Sequence, residues 1–118
     1  MSVELSPQDF ADWSRQKHAA GQQAYVLDVR ESWELDSASV VTLLEQMGVL
    51  FQHIPLSEIY RQLDSLPPKN TPVAILCHHG RRSTVALQTL KLKGFTQLYN
   101  ISGGIAAWAD LVPEIGRY

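Results

Sequence analysis

The sequence predicts a three-layer α/β fold, in which a mostly parallel sheet of four or five strands is covered by helices on both faces. Short apolar segments such as Val73–Leu76 are rich in branched residues, which is typical of strands buried on both faces of a parallel sheet. Segments with apolar residues at helical spacing alternate with these strands. The length of 118 residues suits one core, so we expect a single domain over residues 1–118.

The first helix is predicted from the residues that begin and end it. Ser6 can cap a helix whose first residue is Pro7, and Gly21 follows its expected last turn. The apolar face of this helix would bury Phe10 and Trp13. Strands are expected at an edge position over Val3–Leu5 and at residues 25–29, 49–54, 73–76 and 97–101.

Residues 36–50 contain a further predicted helix, which spans about residues 39–47. Four of its apolar residues recur with helical spacing, namely Val40, Leu43, Leu44 and Met47. Gly48 can end this helix. Since an apolar stripe of this kind more often belongs to a core than to a docking surface, we expect the stripe to be buried.

Two more helices are predicted on either side of the strand Val73–Leu76. The earlier one would be capped by Ser57. In the later one, the helical period starts at Ser83. Gly94 would end that helix in a left-handed conformation, with Phe95 against Leu90 as in a Schellman motif.

Cys77, the only cysteine, directly follows the strand Val73–Leu76 and precedes a predicted helix. Open α/β sheets bind their ligands at such places, beyond the carboxyl ends of the strands. Free N–H groups and partial positive charge at a helix start favour a thiolate over a thiol. Arg81 and Arg82 add positive charge, and Gly80 lets successive N–H groups point inward. We therefore interpret Cys77 as a reactive cysteine rather than a structural one.

The segment Cys-His-His-Gly-Arg-Arg-Ser, residues 77–83, resembles the active-site loop of single-domain rhodanese-like sulfurtransferases. Other segments resemble the same family, so the resemblance covers nearly the whole chain. These segments are Leu-Ser-Pro (5–7) with Phe10 and Trp13, Leu-Asp-Val-Arg-Glu (27–31) with Trp-Glu (33–34), His-Ile-Pro-Leu (53–56), Gly-Phe (94–95) and Tyr-Asn-Ile-Ser-Gly-Gly-Ile-Ala-Ala-Trp (99–108).

The resemblance implies a sulfurtransferase in which Cys77 is the catalytic residue and carries sulfur as a persulfide. The sulfur would come from thiosulfate or a persulfide and pass to a thiol or to cyanide, and a sulfur-relay protein is a further candidate partner. The candidate substrate-binding residues are His78, His79, Gly80, Arg81, Arg82 and Ser83. Asp28 and Arg30 are implied to support the loop. No metal and no organic cofactor is implied.

The chain departs from many relatives at residues 36–50, where those relatives pass quickly to a Gly-His-Ile motif. His53 therefore has two interpretations. Either it corresponds to the histidine of that motif, or it only occupies the strand before Ile-Pro-Leu (54–56). We favour the second and give His53 no catalytic role.

Three alternative functions were considered for the loop. A metal site is disfavoured because Cys77, His78 and His79 are adjacent and project in different directions. Cysteine phosphatases place five residues between their cysteine and arginine, whereas Cys77 and Arg82 enclose four. A rhodanese-like protein-binding or sulfur-carrier module with little turnover remains the second interpretation.

Composition disfavours some partners and compartments. Charges of both signs are interspersed, and the formal net charge is -2, so we expect neither nucleic acid nor a membrane as a partner. Residues 1–5 do not resemble an export signal. A single free thiol suits a reducing compartment, so the expected location is the cytoplasm.

Overall fold

The computed structural model describes residues 3–118, and its centre is one parallel sheet. The expectation about an export signal rests partly on residues 1 and 2, which lie outside this range. The strands are β1 (Val3–Leu5), β2 (Tyr25–Asp28), β3 (Leu50–His53), β4 (Val73–Leu76) and β5 (Leu98–Ile101). Their order across the sheet is β1-β5-β4-β2-β3, and every pair of neighbours is parallel. This topology confirms the predicted α/β class, with β4 in the middle of the sheet.

Helices cover both faces of the sheet, as predicted. They are α1 (Pro7–Ala19), α2 (Ser32–Ser37), α3 (Val41–Met47), α4 (Arg81–Leu92) and α5 (Gly104–Leu111). On one face, α1, α3 and α5 pack on the sheet around Phe10, Leu44 and Trp108. On the other face, α4 contributes Leu87 and Leu90 to a second cluster. Within residues 3–118, no helix is long and apolar enough to cross a membrane.

The side chains of β4 alternate between these two clusters, which decides where Cys77 lies. Ala74 and Leu76 belong to the cluster with α1, whereas Val73 and Ile75 belong to the cluster with α4. Successive side chains of a strand point to opposite faces. Cys77 continues the alternation and therefore lies on the face of the sheet that α4 covers.

The predicted helix ends are present at both long helices. The backbone N–H of Asp9 donates to Ser6 Oγ at 3.3 Å, so Ser6 caps α1. At the end of α4, Gly94 has a φ of 96°, and the Phe95 N–H donates to Leu90 O at 3.1 Å. This bond is the one that defines a Schellman motif. The start of α4 lies at Arg81, two residues before the predicted start.

The segment 36–50 forms a core helix. Val40, the N-cap of α3, and Leu44 within α3 are fully buried, and Leu43 and Met47 pack against the same cluster while partly exposed. The short helix α2 before it was not predicted. Its first turn is closed by a capping box between the side chains and backbone of Glu31 and Glu34.

The helix predicted to start at Ser57 is wrong in type. The structure has two 3-10 segments instead, Leu56–Glu58 and Tyr60–Ser65, and no side chain caps either of them. Gln62 interrupts the second segment with a non-helical φ of -116°. A short helix with few buried residues is marginal, and 3-10 turns are a common form of such connections.

Candidate active site

The Cys77 side chain lies at the start of α4, beneath the loop that it begins. Gly80 adopts a left-handed φ of 97° and is the N-cap of α4. This turn brings the Gly80 N–H to 3.0 Å from Cys77 Sγ, to which it donates. Ser83 Oγ, in the first turn of α4, lies 3.4 Å from Sγ. Cys77 is 1% exposed and Ser83 is 0% exposed, so the sulfur lies beneath the protein surface.

The first turn of α5 holds the loop from the other side. The Ile105 N–H donates to Cys77 O at 2.9 Å, and the Ala106 N–H donates to His78 O at 3.0 Å. This approach requires a glycine at position 104, since a Cβ there would lie 2.4 Å from His78 O and 2.5 Å from Cys77 O. Gly104 of the Gly-Gly pair therefore allows close packing against the loop that carries the cysteine.

Arg82, expected to bind substrate, has its guanidinium engaged by the protein. Both of its terminal nitrogens donate to the Glu34 carboxylate, each at 2.6 Å. The hydrogen bonds from Arg82 are the main reason why the pKa of Glu34 falls from its ordinary 4.5 to about 2. The same bonds raise the pKa of Arg82. Arg82 thus ties the start of α4 to α2.

Asp28 and Arg30 form a fully buried ion pair at the end of β2. Arg30 donates to both carboxylate oxygens of Asp28, and the shortest of these bonds is 2.8 Å. Arg30 also donates to the Glu34 carbonyl at 3.2 Å and to the Tyr118 hydroxyl at 3.3 Å. Around Arg30, polar contacts thus join the end of β2 to α2. His53 Nε2 lies 2.6 Å from the Arg30 carbonyl, at the end of β3.

Aromatic rings are stacked on the loop. His78 stacks on His79 on one side and on Tyr118 on the other, with 3.9 Å between ring centroids in both cases. Trp33 packs edge-on against Tyr118 at 5.8 Å. Burial, with the nearby His79 as a second cause, lowers the pKa of His78, which favours its neutral form. Burial raises the pKa of Tyr118 to about 12, and its hydroxyl donates to Glu34 at 2.7 Å.

The candidate residues of the loop therefore have different environments. Gly80 and Ser83 touch the sulfur, and His78 is half-buried in the aromatic stack. His79 and Arg81 are exposed. Ser83 was expected to bind substrate. Because its side chain is fully buried, the site atom that it contacts is Cys77 Sγ. Within residues 3–118, no three His, Cys, Asp or Glu side chains are grouped as metal ligands would be.

Sequence reasoning assigned no site role to Glu34, Asn100 or Tyr118. Glu34 could have been noticed as the second carboxylate of the Glu31-x-x-Glu34 capping pattern. That pattern predicts a helix start but not the contact with Arg82. No local pattern indicated Tyr118 or Asn100.

Comparison with known proteins now identifies the family. The model of the rhodanese-like domain matches residues 6–111. The chain belongs to this family. A Bacillus subtilis relative named "Putative sulfur carrier protein YrkF" is 35% identical over 94 residues, which are 80% of this chain and 46% of that protein.

Solved structures of rhodanese-like proteins have the same fold. The rhodanese-related protein of Thermoplasma volcanium matches with a TM-score of 0.69 and 27% identity, over 92% of each chain. The Bacillus anthracis protein CoADR-RHD matches with a TM-score of 0.74 and 25% identity, over 99% of this chain and 18% of that one. The rhodanese-like chain therefore spans less than half of YrkF and about a fifth of CoADR-RHD.

Proposed function

We propose that this rhodanese-like chain is a sulfurtransferase, in which Cys77 receives a sulfane sulfur and passes it on. One observation carries the proposal, which is the position of Cys77 Sγ at the start of α4 with the Gly80 N–H donating to it at 3.0 Å. A donor in this position stabilises negative charge on sulfur, and the partial positive charge at the helix start acts in the same direction. The sulfur-transfer chemistry of the family supports the same assignment.

The first step is a nucleophilic displacement at the outer sulfur of the donor. With thiosulfate, the Cys77 thiolate forms a bond to the outer sulfur, the S–S bond of thiosulfate breaks, and sulfite leaves with the bonding electrons. Cys77 then carries a persulfide whose outer sulfur is negatively charged. With a persulfide donor, the leaving group is the donor thiolate. No change in the overall electron count and no further co-reactant is needed.

The second step returns Cys77 to its thiolate. Cyanide attacks the outer sulfur of the Cys77 persulfide, the persulfide S–S bond breaks, and thiocyanate leaves. A thiol acceptor reacts in the same way after losing its proton, and it leaves as a persulfide. A relay protein with an exposed thiol is an acceptor of this class.

Arg81 and His79 are the proposed contacts of an anionic donor. Both are exposed beside Cys77, whereas the Arg82 guanidinium is held by Glu34. Positive charge on the exposed part of the loop attracts thiosulfate, and the attraction weakens as salt rises. In this scheme Asp28 and Arg30 support the loop from β2.

The proposal is tested by turnover of thiosulfate and cyanide to thiocyanate. We expect activity in the native chain and none above background in Cys77→Ser, since a hydroxyl cannot carry a sulfane sulfur. The circular dichroism spectrum of the variant should equal that of the native chain, because the side chains have similar size. Residual turnover in a folded Cys77→Ser variant would refute the role of Cys77.

A sulfur carrier with little turnover is the second candidate, and the name of the Bacillus subtilis relative favours it. The two candidates differ in the second step. A carrier treated with thiosulfate gains the mass of one sulfur atom on Cys77 but releases thiocyanate slowly or not at all. Intact mass spectrometry before and after cyanide addition separates the two candidates.

We also propose a reducing compartment such as the cytoplasm, where the thiol stays free.

A further inference from the structure

A line of polar side chains connects the surface of the sheet edge to the sulfur. Glu4 on β1 accepts from Asn100 Nδ2 on β5, at 3.0 and 3.1 Å to its two oxygens. Asn100 Oδ1 is hydrogen-bonded to Ser83 Oγ on α4. Ser83 Oγ in turn lies 3.4 Å from Cys77 Sγ. Asn100 and Ser83 are buried, at 4% and 0% exposure.

The carboxylate of Glu4 fixes which end of the Asn100 amide faces the interior. An ionised carboxylate can only accept, so the NH2 group of Asn100 must face it. Gly80 O, a second acceptor, also lies on the NH2 side, at 3.4 Å. The carbonyl oxygen Oδ1 is thereby turned towards Ser83. This assignment follows from the hydrogen-bond network, which is how amide orientations are decided.

The orientation of Asn100 decides where the single proton of Ser83 points. Ser83 Oγ and Asn100 Oδ1 would repel each other without a proton between them, and Oδ1 carries no proton that it could donate. The Ser83 hydroxyl therefore donates to Asn100. Towards Cys77 Sγ it presents a lone pair, which is the correct partner for an S–H group and the wrong one for a thiolate.

We propose that Glu4, through Asn100, sets the direction of the Ser83 hydroxyl and so withholds the Ser83 proton from Cys77 Sγ. Glu4 and Asn100 are then positioning residues of the sulfur site. A hydrogen bond from Ser83 to a Cys77 thiolate requires the Ser83 hydroxyl to rotate towards sulfur, at the cost of its bond to Asn100. The proposal rests on Cys77 being the sulfur that reacts.

This arrangement of Glu4, Asn100 and Ser83 favours Cys77 that carries a persulfide over Cys77 as a bare thiolate. In a persulfide the negative charge lies on the outer sulfur, and Sγ itself is neutral. A lone pair of Ser83 beside Sγ is then tolerated. Without a hydrogen bond from Ser83, alkylation and oxidation of resting Cys77, which act on the thiolate, would be slower.

Alkylation by iodoacetamide tests the proposal without any sulfur donor. Asn100→Leu keeps the approximate shape of the side chain but removes the acceptor of the Ser83 proton, so that this proton can turn to sulfur. We expect alkylation at neutral pH to become about threefold to tenfold faster, the factor that one hydrogen bond supplies.

Ser83→Ala provides the matched background. If Asn100→Leu merely opened the site, it would accelerate alkylation equally with and without Ser83. We expect no acceleration in the Ser83→Ala background, because no hydroxyl is left to turn. Neither Asn100→Leu nor Ser83→Ala changes the charged and titratable groups of the Cys77 site, which are Asp28, Arg30, Glu34, His78, His79, Arg81 and Arg82.

Glu4→Lys tests the outer end of the line and changes only an exposed side chain. An ammonium donates, so the Asn100 amide should turn over and free the Ser83 proton. We expect faster alkylation that persists in about 0.5 M salt, which screens simple charge effects. Ser102→Ala is the control, since Ser102 Oγ donates to Glu4 at 2.9 Å without touching Asn100. Its alkylation rate should equal that of the native chain.

Three outcomes would overturn the proposal. Folded Asn100→Leu could alkylate at the native rate, it could accelerate equally in both backgrounds, or the effect of Glu4→Lys could vanish in salt. If Asn100→Leu does not fold, the result with Glu4→Lys decides. A chain that never turns over thiosulfate but passes these alkylation tests would contradict the proposed function and leave the positioning intact.

Discussion

Replacing Glu34 by Gln should destabilise the domain by about 2 to 3 kcal/mol at neutral pH. The Glu34 side chain is 3% exposed and accepts four hydrogen bonds. Two come from Arg82, one from the Tyr118 hydroxyl and one from the Glu31 N–H. A glutamine keeps one acceptor oxygen and places an NH2 group against a donor, so part of this arrangement must break.

The magnitude follows from the pKa of Glu34. Its fall from 4.5 to about 2 corresponds to about 3.5 kcal/mol, at about 1.4 kcal/mol for each unit of pKa. Removing one partner of a buried ion pair costs about 3 to 5 kcal/mol when the other charge stays buried. The Arg82 side chain is 35% exposed and can be hydrated, so the expected loss of about 2 to 3 kcal/mol lies below both of these values.

The sign of the pH dependence follows from the direction of the same pKa. Since the pKa of Glu34 is lower in the folded state, its carboxylate stabilises the fold fully above 4.5. This contribution is lost as the pH falls towards about 2. The difference in stability between the native chain and Glu34→Gln should therefore be constant from pH 7 to about pH 5.5 and shrink below 4.5.

Urea unfolding at a series of pH values measures this difference. Tyr118→Phe is the matched control, because it removes the hydroxyl bonds to Glu34 and Arg30 and leaves the ion pair with Arg82 in place. Its expected cost is about 1 kcal/mol. A loss below about 0.5 kcal/mol in Glu34→Gln, as for an ordinary surface pair, would refute the reasoning. A loss that stays constant down to pH 3 would refute the assigned pKa.

Two further predictions concern the loop and the choice of substrate. Gly104→Ala should reduce sulfur transfer strongly while the domain still folds, because the new methyl group would displace the carbonyls of Cys77 and His78. A folded variant with native turnover would show that the loop tolerates this shift. The native chain should not hydrolyse an aryl phosphate, because the spacing of Cys77 and Arg82 is one residue shorter than in cysteine phosphatases. Hydrolysis that Cys77→Ser abolishes would contradict this.

The sheet and the long helices could be predicted because their signals are local. The end of α4 is an example, since Gly94 and Phe95 lie within a few residues of the carbonyl groups that they satisfy. The position of Cys77 followed from strand and helix alternation alone. The short 3-10 segments after Pro55 were mistaken for one helix, because a serine at a possible cap does not establish enough burial to form one.

The polar contacts around the site could not be predicted in the same way. Glu34 and Arg82 are 48 residues apart in the sequence, and Glu4 and Asn100 are 96 apart. Each pair meets only because two separate elements lie side by side in the fold. Their side chains carry no local pattern that would connect them, and a charged residue near the surface usually has no specific partner.

Arg81 and Arg82 show how such contacts separate residues that look equivalent in a sequence. Adjacent residues of a helix point about 100° apart, so the two guanidinium groups at the start of α4 cannot serve the same function. Arg82 points to α2 and is held by Glu34, while Arg81 remains exposed. In the proposed mechanism, the positive charge that attracts an anionic donor therefore comes from Arg81, and Arg82 acts only through the position of the loop. A loss of donor affinity on removing Arg81 and a loss of stability on removing Arg82 are the separate effects that this geometry requires.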